Sequence, residues 1–200
     1  MASGKEDHRV HGDAPLVETA RTILQFRLDE LVETRASISG PSDSLQLHAL
    51  RISAKRLRYS LETFAVCFPG DVAQDRADAV REMQDVLGRI HDVDVLHELL
   101  EERIVGVEAQ VREEALLRAM APAEDGQRDG RLLDLLRTDG KSDGRFGLYK
   151  VMASKADERR ELYDQFVALW NQWEDAGFLA GIRASLADLK AEREHTTSAS

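Results

Sequence analysis

Apolar residues recur every three or four positions along most of the chain, and this spacing is typical of one face of an α-helix. The first stretch predicts a helix over residues 16–36, with apolar side chains at Leu16, Ala20, Ile23, Leu24, Leu28 and Leu31. A turn-forming segment at 39–43 (SGPSD) separates it from a second predicted helix over 44–68, which Pro69-Gly70 ends. A third helix is predicted over 72–90.

Glycine residues mark two interruptions in the pattern that follows. Gly88 and the subsequent His91-Asp92 predict either a bend or a close helix contact, after which a helix continues over 93–119. Residues 121–147 contain Pro122 and five glycines. We interpret this stretch as a linker that carries one short helix around 132–136.

The end of the chain adds one more long helix, predicted over 148–173. Residues 1–14 are polar and aperiodic, and 183–200 predict a fraying helix followed by a disordered tail. No alternation of apolar and polar residues typical of strands occurs in the sequence. We therefore predict an all-α protein, an antiparallel helical bundle of about four long helices plus a short helix, within residues 15–182.

The composition narrows the class of protein. Two hundred residues correspond to about one domain, and 42% apolar residues with 32% charged and 6% aromatic residues favour helices with wide solvated faces. No run approaches the roughly 18 consecutive apolar residues of a membrane span, and residues 1–14 lack the apolar core of a signal peptide. The single Cys67 has no partner for an internal disulfide. We therefore expect a reduced, cytoplasmic protein without membrane association.

The net charge of −10 argues against a general nucleic-acid binder, because such domains are usually basic. A site for a polyanion would have to be a local patch, and the second predicted helix offers one. At 100° per residue, four of its side chains fall within roughly 80° of one another. We call these residues the basic row: His48, Arg51, Lys55 and Arg58.

No acidic residue occurs between Ala49 and Leu61, although Arg51 and Lys55 repel each other at i, i+4 spacing. An ordinary solvated face mixes charges, so this run favours an anionic partner. The arginine fork and the lysine ammonium both suit phosphate oxygens. The alternative is that the basic residues pair with Asp and Glu from neighbouring helices, and spacing alone leaves both interpretations open.

Two segments together resemble the CHAD (conserved histidine α-helical domain) family. Residues 48–62 (HALRISAKRLRYSLE) are similar to the signature helix of the family. Residues 83–96 (MQDVLGRIHDVDVL) are similar to its second signature, a leucine–glycine turn followed by a D-x-D-V-like segment. The strong motifs cover residues 44–100, with weaker similarity at 16–36 and 144–175.

The resemblance implies a helical bundle that binds inorganic polyphosphate, without catalysis of its own and without a cofactor. It also implies a cytoplasmic location that includes polyphosphate granules. By motif match it assigns polyphosphate binding to His48, Arg51, Lys55, Arg56 and Arg58, although Arg56 points away from the basic row. On the last predicted helix, Lys155 and Arg159 lie one turn apart and are expected to extend the basic surface, although Glu158 and Glu161 dilute their charge.

The resemblance is incomplete in one respect. The family pattern has two related helical halves, each with a signature helix, whereas no second basic run follows residue 100. This motivates the hypothesis that the chain is a half-length member that forms a homodimer, in which a second subunit replaces the missing half.

Other clusters of polar residues give weaker indications of a function. The residue types at 91–98 (HDVDVLHE) suit metals, but no closed metal-binding motif is present, so no metal is predicted. Asp92 and Asp94 are instead expected to cap a helix or to hold basic side chains of the second helix. Tyr59 and Glu62 are expected to orient Arg58 or Lys55.

The absence of several well-known sequence motifs argues against several classes of protein. No phosphate-binding glycine loop, nucleophile elbow, paired catalytic carboxylates or dinucleotide fingerprint is visible, so we predict that the protein is not an enzyme. Phe166, Trp170 and Trp173 are expected in the core or at a dimer interface, because no interleaving of basic and aromatic residues suits base stacking. The alternatives to polyphosphate binding are a helical bundle that docks an acidic protein partner and, with less support, a nucleic-acid binder.

Overall fold

The computed structural model of the chain describes residues 15–120 and 144–189. Within these ranges the chain forms helices and connecting turns without any strand, so the predicted all-α class is confirmed. The described ranges contain five α-helices: α1 (Leu16–Ala36), α2 (Ser44–Thr63), α3 (Val72–Met120), α4 (Arg145–Asp175) and α5 (Phe178–Asp188). None of the helices in the described ranges has the length and apolar character needed to span a bilayer.

The described residues divide into two compact units. The first contains the described parts of Met1–His91 and Leu162–Ser200, and the second those of Asp92–Glu161. The boundary therefore falls inside α3 and inside α4, so each of these long helices contributes residues to both units.

The core of the first unit is built from most of the apolar residues that the sequence predicts on α1 and α2, but Leu16 is half exposed. α1 contributes buried residues at three- and four-residue spacing, and α2 packs a similar stripe against it. Arg35 of α1 places its guanidinium 5.4 Å from the ring centroid of Phe166 and 5.5 Å from that of Trp170. Phe166, Trp170 and Trp173 are buried, so they belong to the core of this unit.

Several helix ends differ from the prediction. α2 ends at Thr63, and a 3₁₀ turn over Ala65–Cys67 follows, after which Phe68 is extended because Pro69 disfavours a helical conformation in the preceding residue. α4 begins at Arg145, inside the predicted linker. The rest of that linker, including the short helix predicted around 132–136, lies outside the described residues.

The segment after Gly177 is also more ordered than predicted. Gly177 has a φ of 62°, a conformation that glycine adopts at low cost, and it allows a new helix to begin at once. α5 then buries Phe178, Ile182 and Leu186, so residues 183–188 belong to a packed helix rather than to a fraying one. The predicted tails at 1–14 and 190–200 lie outside the described residues.

α3 passes through Gly88 and His91 without interruption. A single glycine in a helix costs only about 1 kcal/mol, which the packing of Leu87 and Ile90 offsets. Of the two predicted alternatives, the close contact is the one observed, because the Nε of Arg51 lies 3.8 Å from the position that a Cβ on Gly88 would occupy. The prediction that Asp92 or Asp94 caps a helix is wrong, since both lie inside α3.

Candidate anion-binding site

α2 turns one face to the core and presents the basic row beside it. The turn before the helix is closed by the carboxylate of Asp43, whose Oδ2 accepts hydrogen bonds from the backbone N–H groups of Ser39 (2.6 Å) and Gly40 (3.0 Å). In the basic row, His48 and Lys55 are exposed and Arg51 and Arg58 are half-buried. The apolar stripe that fixes this orientation consists of Leu47, Leu50, Ala54, Leu57 and Leu61, all buried.

Arg51 and Lys55 are not neutralised within the described ranges, where neither forms an ion pair with a carboxylate. The Nζ of Lys55 lies 5.6 Å from the ring centroid of Tyr59, and Arg51 rests against α3 at Gly88. α2 itself carries no acidic residue before Glu62. These two side chains are therefore a local source of positive charge on a protein with an overall negative charge.

Arg58 is in the basic row but is held by its neighbours. Its Nη1 donates a 2.9 Å hydrogen bond to Oε1 of Glu62, which also accepts from Nη2 of Arg81 at 3.3 Å. The guanidinium carbon lies 4.5 Å from the ring centroid of Tyr59, and only 17% of the side chain is exposed. The expectation that Tyr59 and Glu62 orient Arg58 is confirmed.

Arg56 points away from the basic row, as its position on the helix predicts. Its Nη1 donates a 2.7 Å hydrogen bond to Oε1 of Glu30 on α1. Glu30 is shared, because its Oε2 accepts from Nη1 of Arg27 at 2.9 Å. About half of the Arg56 side chain (52%) remains exposed, so this guanidinium is neutralised but accessible.

His48 meets a second histidine that the sequence analysis did not place in the site. The Nδ1 atoms of His48 and His91 are 3.3 Å apart, and the ring centroids are separated by 4.5 Å. Arg51 contacts Gly88 one turn away, so positions 48 and 51 of α2 match 91 and 88 of α3 in antiparallel order. The spacing of Gly88 and His91, three residues apart on one helical face, was the available signal.

The two basic residues predicted on the last helix lie in the second unit, and both are paired there. The Nζ of Lys155 donates a 2.6 Å hydrogen bond to Oε2 of Glu158. The Nε of Arg159 donates to Oδ1 of Asp94 at 2.5 Å, and their side chains are only 14% and 16% exposed. Asp94 was expected to hold a basic side chain of α2; the structure shows that it holds Arg159 of α4 instead.

The other groups in the described ranges do not form a centre of a different kind. In the described part of the chain, no group of three or more His, Cys, Asp or Glu side chains converges in a geometry that could hold a metal ion. His97, the remaining histidine of α3, lies with its Nε2 3.2 Å from the backbone carbonyl oxygen of Met152. We therefore take the basic row with His91 as the candidate site among the described residues.

The comparison with known families agrees with this geometry. The family profile of the CHAD domain matches residues 2–101, which include α1, α2 and the part of α3 that carries Gly88 and His91. No curated protein matches the chain, and no solved structure matches it. Because the match covers half of the sequence and includes the basic row, the chain belongs to the CHAD domain family.

Proposed function

We propose that the protein binds inorganic polyphosphate through the basic row of α2. One observation carries the proposal: Arg51 and Lys55 are side by side without a carboxylate partner in the described ranges, on a chain with ten excess negative charges. Two like charges at this spacing repel each other, and a bound anion would remove that repulsion. Membership in the CHAD domain family supports the choice of a polyphosphate as the anion.

The geometry of the row suits a linear ligand. His48 and Lys55 are seven residues apart, which corresponds to about 10 Å along the helix axis. Successive phosphates of an extended chain would lie along this line, with the planar fork of Arg51 binding two oxygens and the ammonium of Lys55 acting as a point charge. Binding would release counterions from the polyphosphate, and it would therefore weaken as the salt concentration rises.

The other predicted residues take different roles in this proposal. Arg58 is fixed by Glu62 and Tyr59 and contributes mainly to the local potential. Arg56 is half exposed, and an exposed ion pair is worth about 1 kcal/mol or less, so it can exchange Glu30 for a phosphate oxygen. Lys155 and Arg159 stay a sequence-based prediction as further ligand contacts, and because both are paired with carboxylates we expect their contribution to be small.

The test is a titration of the full chain with long-chain polyphosphate at two salt concentrations. The double charge reversal R51E/K55E should weaken binding about 100-fold, because two charge-assisted contacts are lost and replaced by repulsion. The matched control is K150E/R160E, which changes the net charge equally at two exposed positions of α4. Helical content measured by circular dichroism should be the same for both variants.

The outcomes separate the proposal from its alternatives. Equal weakening in both double variants would mean that overall charge, and not the basic row, attracts the ligand, and this would overturn the assignment of the site. If the wild-type chain does not bind polyphosphate but binds a DNA oligonucleotide, the result would favour a nucleic-acid function. Binding of neither ligand would favour an acidic protein partner for the basic row.

Three further expectations accompany the proposal. We infer a binding module without catalytic activity, which an assay for polyphosphate hydrolysis tests directly. A location in the cytoplasm at polyphosphate granules follows from the ligand, and fluorescence microscopy of a tagged chain checks it. The homodimer also stays a prediction, and light scattering with and without polyphosphate measures it.

A further inference from the structure

The two imidazoles of His48 and His91 face each other through their Nδ1 atoms. A neutral imidazole has one N–H donor and one bare nitrogen acceptor, whereas an imidazolium has two donors. At an Nδ1–Nδ1 distance of 3.3 Å, one ring donates and the other accepts. The hydrogen bond between the rings can form when both are neutral and also when one of them carries an extra proton. A second extra proton would place two N–H groups and two positive charges against each other.

We propose that His91 is part of the anion site and that the His48–His91 pair takes up a proton when a phosphate chain binds. This inference rests on the proposed function, because it concerns the same site. A phosphate oxygen that approaches the two Nδ1 atoms from the side would accept from both Nδ1–H groups. Because that anion would offset the repulsion between two imidazolium rings, the doubly protonated pair becomes the favoured state of the complex.

The charged groups of α2 and α1 around the pair reinforce this coupling. On α2, Arg51 and Lys55 follow His48 by one and two turns, so they add positive charge that opposes a second proton in the free protein. The nearest carboxylate before α2, Asp43, is engaged with two backbone N–H groups. On α1, which packs against α2, Glu30 is already bound by Arg27 and Arg56.

The groups on α3 do not neutralise the pair either. Gly88, one turn before His91, has no side chain, and the neighbouring Arg89 is exposed and positive. Asp94, one turn after His91, is bound by Arg159. Asp92 is exposed to solvent, where its interaction with a nearby charge is screened. An incoming anion is therefore the group that would compensate a second imidazolium.

The sign of the pH dependence follows from proton uptake. An ordinary imidazole titrates near pH 6.5, and the complex holds more protons than the free protein. Polyphosphate affinity therefore rises as the pH falls through this range, by up to tenfold per pH unit for each proton taken up. The added affinity is fully present at acidic pH and is lost as the pH rises above the imidazole range.

The experiment is isothermal titration calorimetry with long-chain polyphosphate in buffers of different ionisation enthalpy, at pH 5.5, 7 and 8. The protein variants are wild type, H48Q, H91Q and the double variant H48Q/H91Q, which measures the proton uptake of the ligand itself. We expect wild type to take up close to one proton more than the double variant. At pH 5.5 the uptake by wild type should exceed the sum of the two single variants, because only wild type has two facing imidazoles that a bound anion can bridge.

The control is H97Q, since His97 lies on the same helix but in the second unit and is not part of the pair. H97Q should keep the wild-type proton uptake. If H91Q loses helical content by circular dichroism, H48Q carries the same comparison at an exposed position. Proton uptake in the double variant equal to that of wild type would overturn this inference alone, whereas absence of polyphosphate binding at every pH would overturn the proposed function itself.

Discussion

Two pairs of basic residues in this protein have the same spacing and opposite electrostatic environments. Arg51 and Lys55 on α2, and Lys155 and Arg159 on α4, are each separated by four residues. In the described ranges the first pair has no carboxylate partner, whereas Glu158 and Asp94 neutralise the second. The first pair is therefore the better candidate for an anion site.

The difference lies in the positions of the acidic residues. α2 has no acid between Ser44 and Leu61, so Arg51 and Lys55 have no carboxylate within one turn on their own helix. α4 has Glu158 three residues after Lys155, which is close enough for a contact within the helix. A run of basic side chains is thus a stronger indication of an anion site when no acidic side chain lies within one turn of it on the same helix or on a neighbouring helix.

The largest expected effect comes from reversing both charges in each pair. R51E/K55E should weaken polyphosphate binding about 100-fold and leave the stability of the fold nearly unchanged. K155E/R159E should change binding by about threefold or less but lower the free energy of unfolding by about 2 kcal/mol, because Asp94 would then face a second carboxylate. Calorimetry and urea unfolding measure the two effects. Similar losses of binding in both variants would show that Lys155 and Arg159 also hold the ligand.

A second variant removes the charge of the carboxylate that binds Arg159. D94N keeps a hydrogen-bond acceptor for Arg159 but removes its charge partner. We expect polyphosphate binding to rise about fivefold at low salt and the free energy of unfolding to fall by about 1 kcal/mol. The control is D164N, an exposed aspartate of α4. An equal rise in D164N would indicate a general charge effect.

The helices were predictable because burial follows the apolar period. Leu24, Leu28 and Leu31 on α1 and Leu50, Leu57 and Leu61 on α2 are all buried, as their spacing indicates. The packing of α5, which buries Phe178, Ile182 and Leu186, was missed because only two residues separate this short helix from the end of α4. A short apolar stripe beside a chain end resembles a fraying segment unless the helices that cover it are known.

The site was predictable only in part, since a sequence pattern places residues on a helix but does not pair helices. The position of Arg56 off the basic row followed from 100° per residue, and the structure shows it bound to Glu30. The contacts between His48 and His91 and between Asp94 and Arg159 depend on the register of α3 against other helices. That register is set by the packing of many apolar side chains together, which no single motif encodes.

The salt dependence of binding should also distinguish the two pairs. Each phosphate contact with a flexible polyanion contributes about 0.7 to the slope of log affinity against log salt. R51Q should therefore reduce the slope by about 0.7, which corresponds to a roughly threefold change in affinity between 50 and 200 mM salt. K155Q should leave the slope within about 0.2 of wild type. Titrations at four salt concentrations measure it, and equal slopes for R51Q and wild type would exclude a direct Arg51 contact.

The smallest expected effect comes from Glu62, which holds Arg58 at the end of the basic row. E62Q retains an amide oxygen that can accept from Arg58 but removes one negative charge. Polyphosphate binding should strengthen about twofold at low salt, because an exposed or half-exposed charge is strongly screened. D78N is the matched control, since Asp78 also pairs with Arg81 but lies on α3 away from Arg58. If E62Q weakens binding while D78N does not, Glu62 acts by orienting Arg58 towards the ligand, and the Arg58 guanidinium must then be counted among the direct contacts.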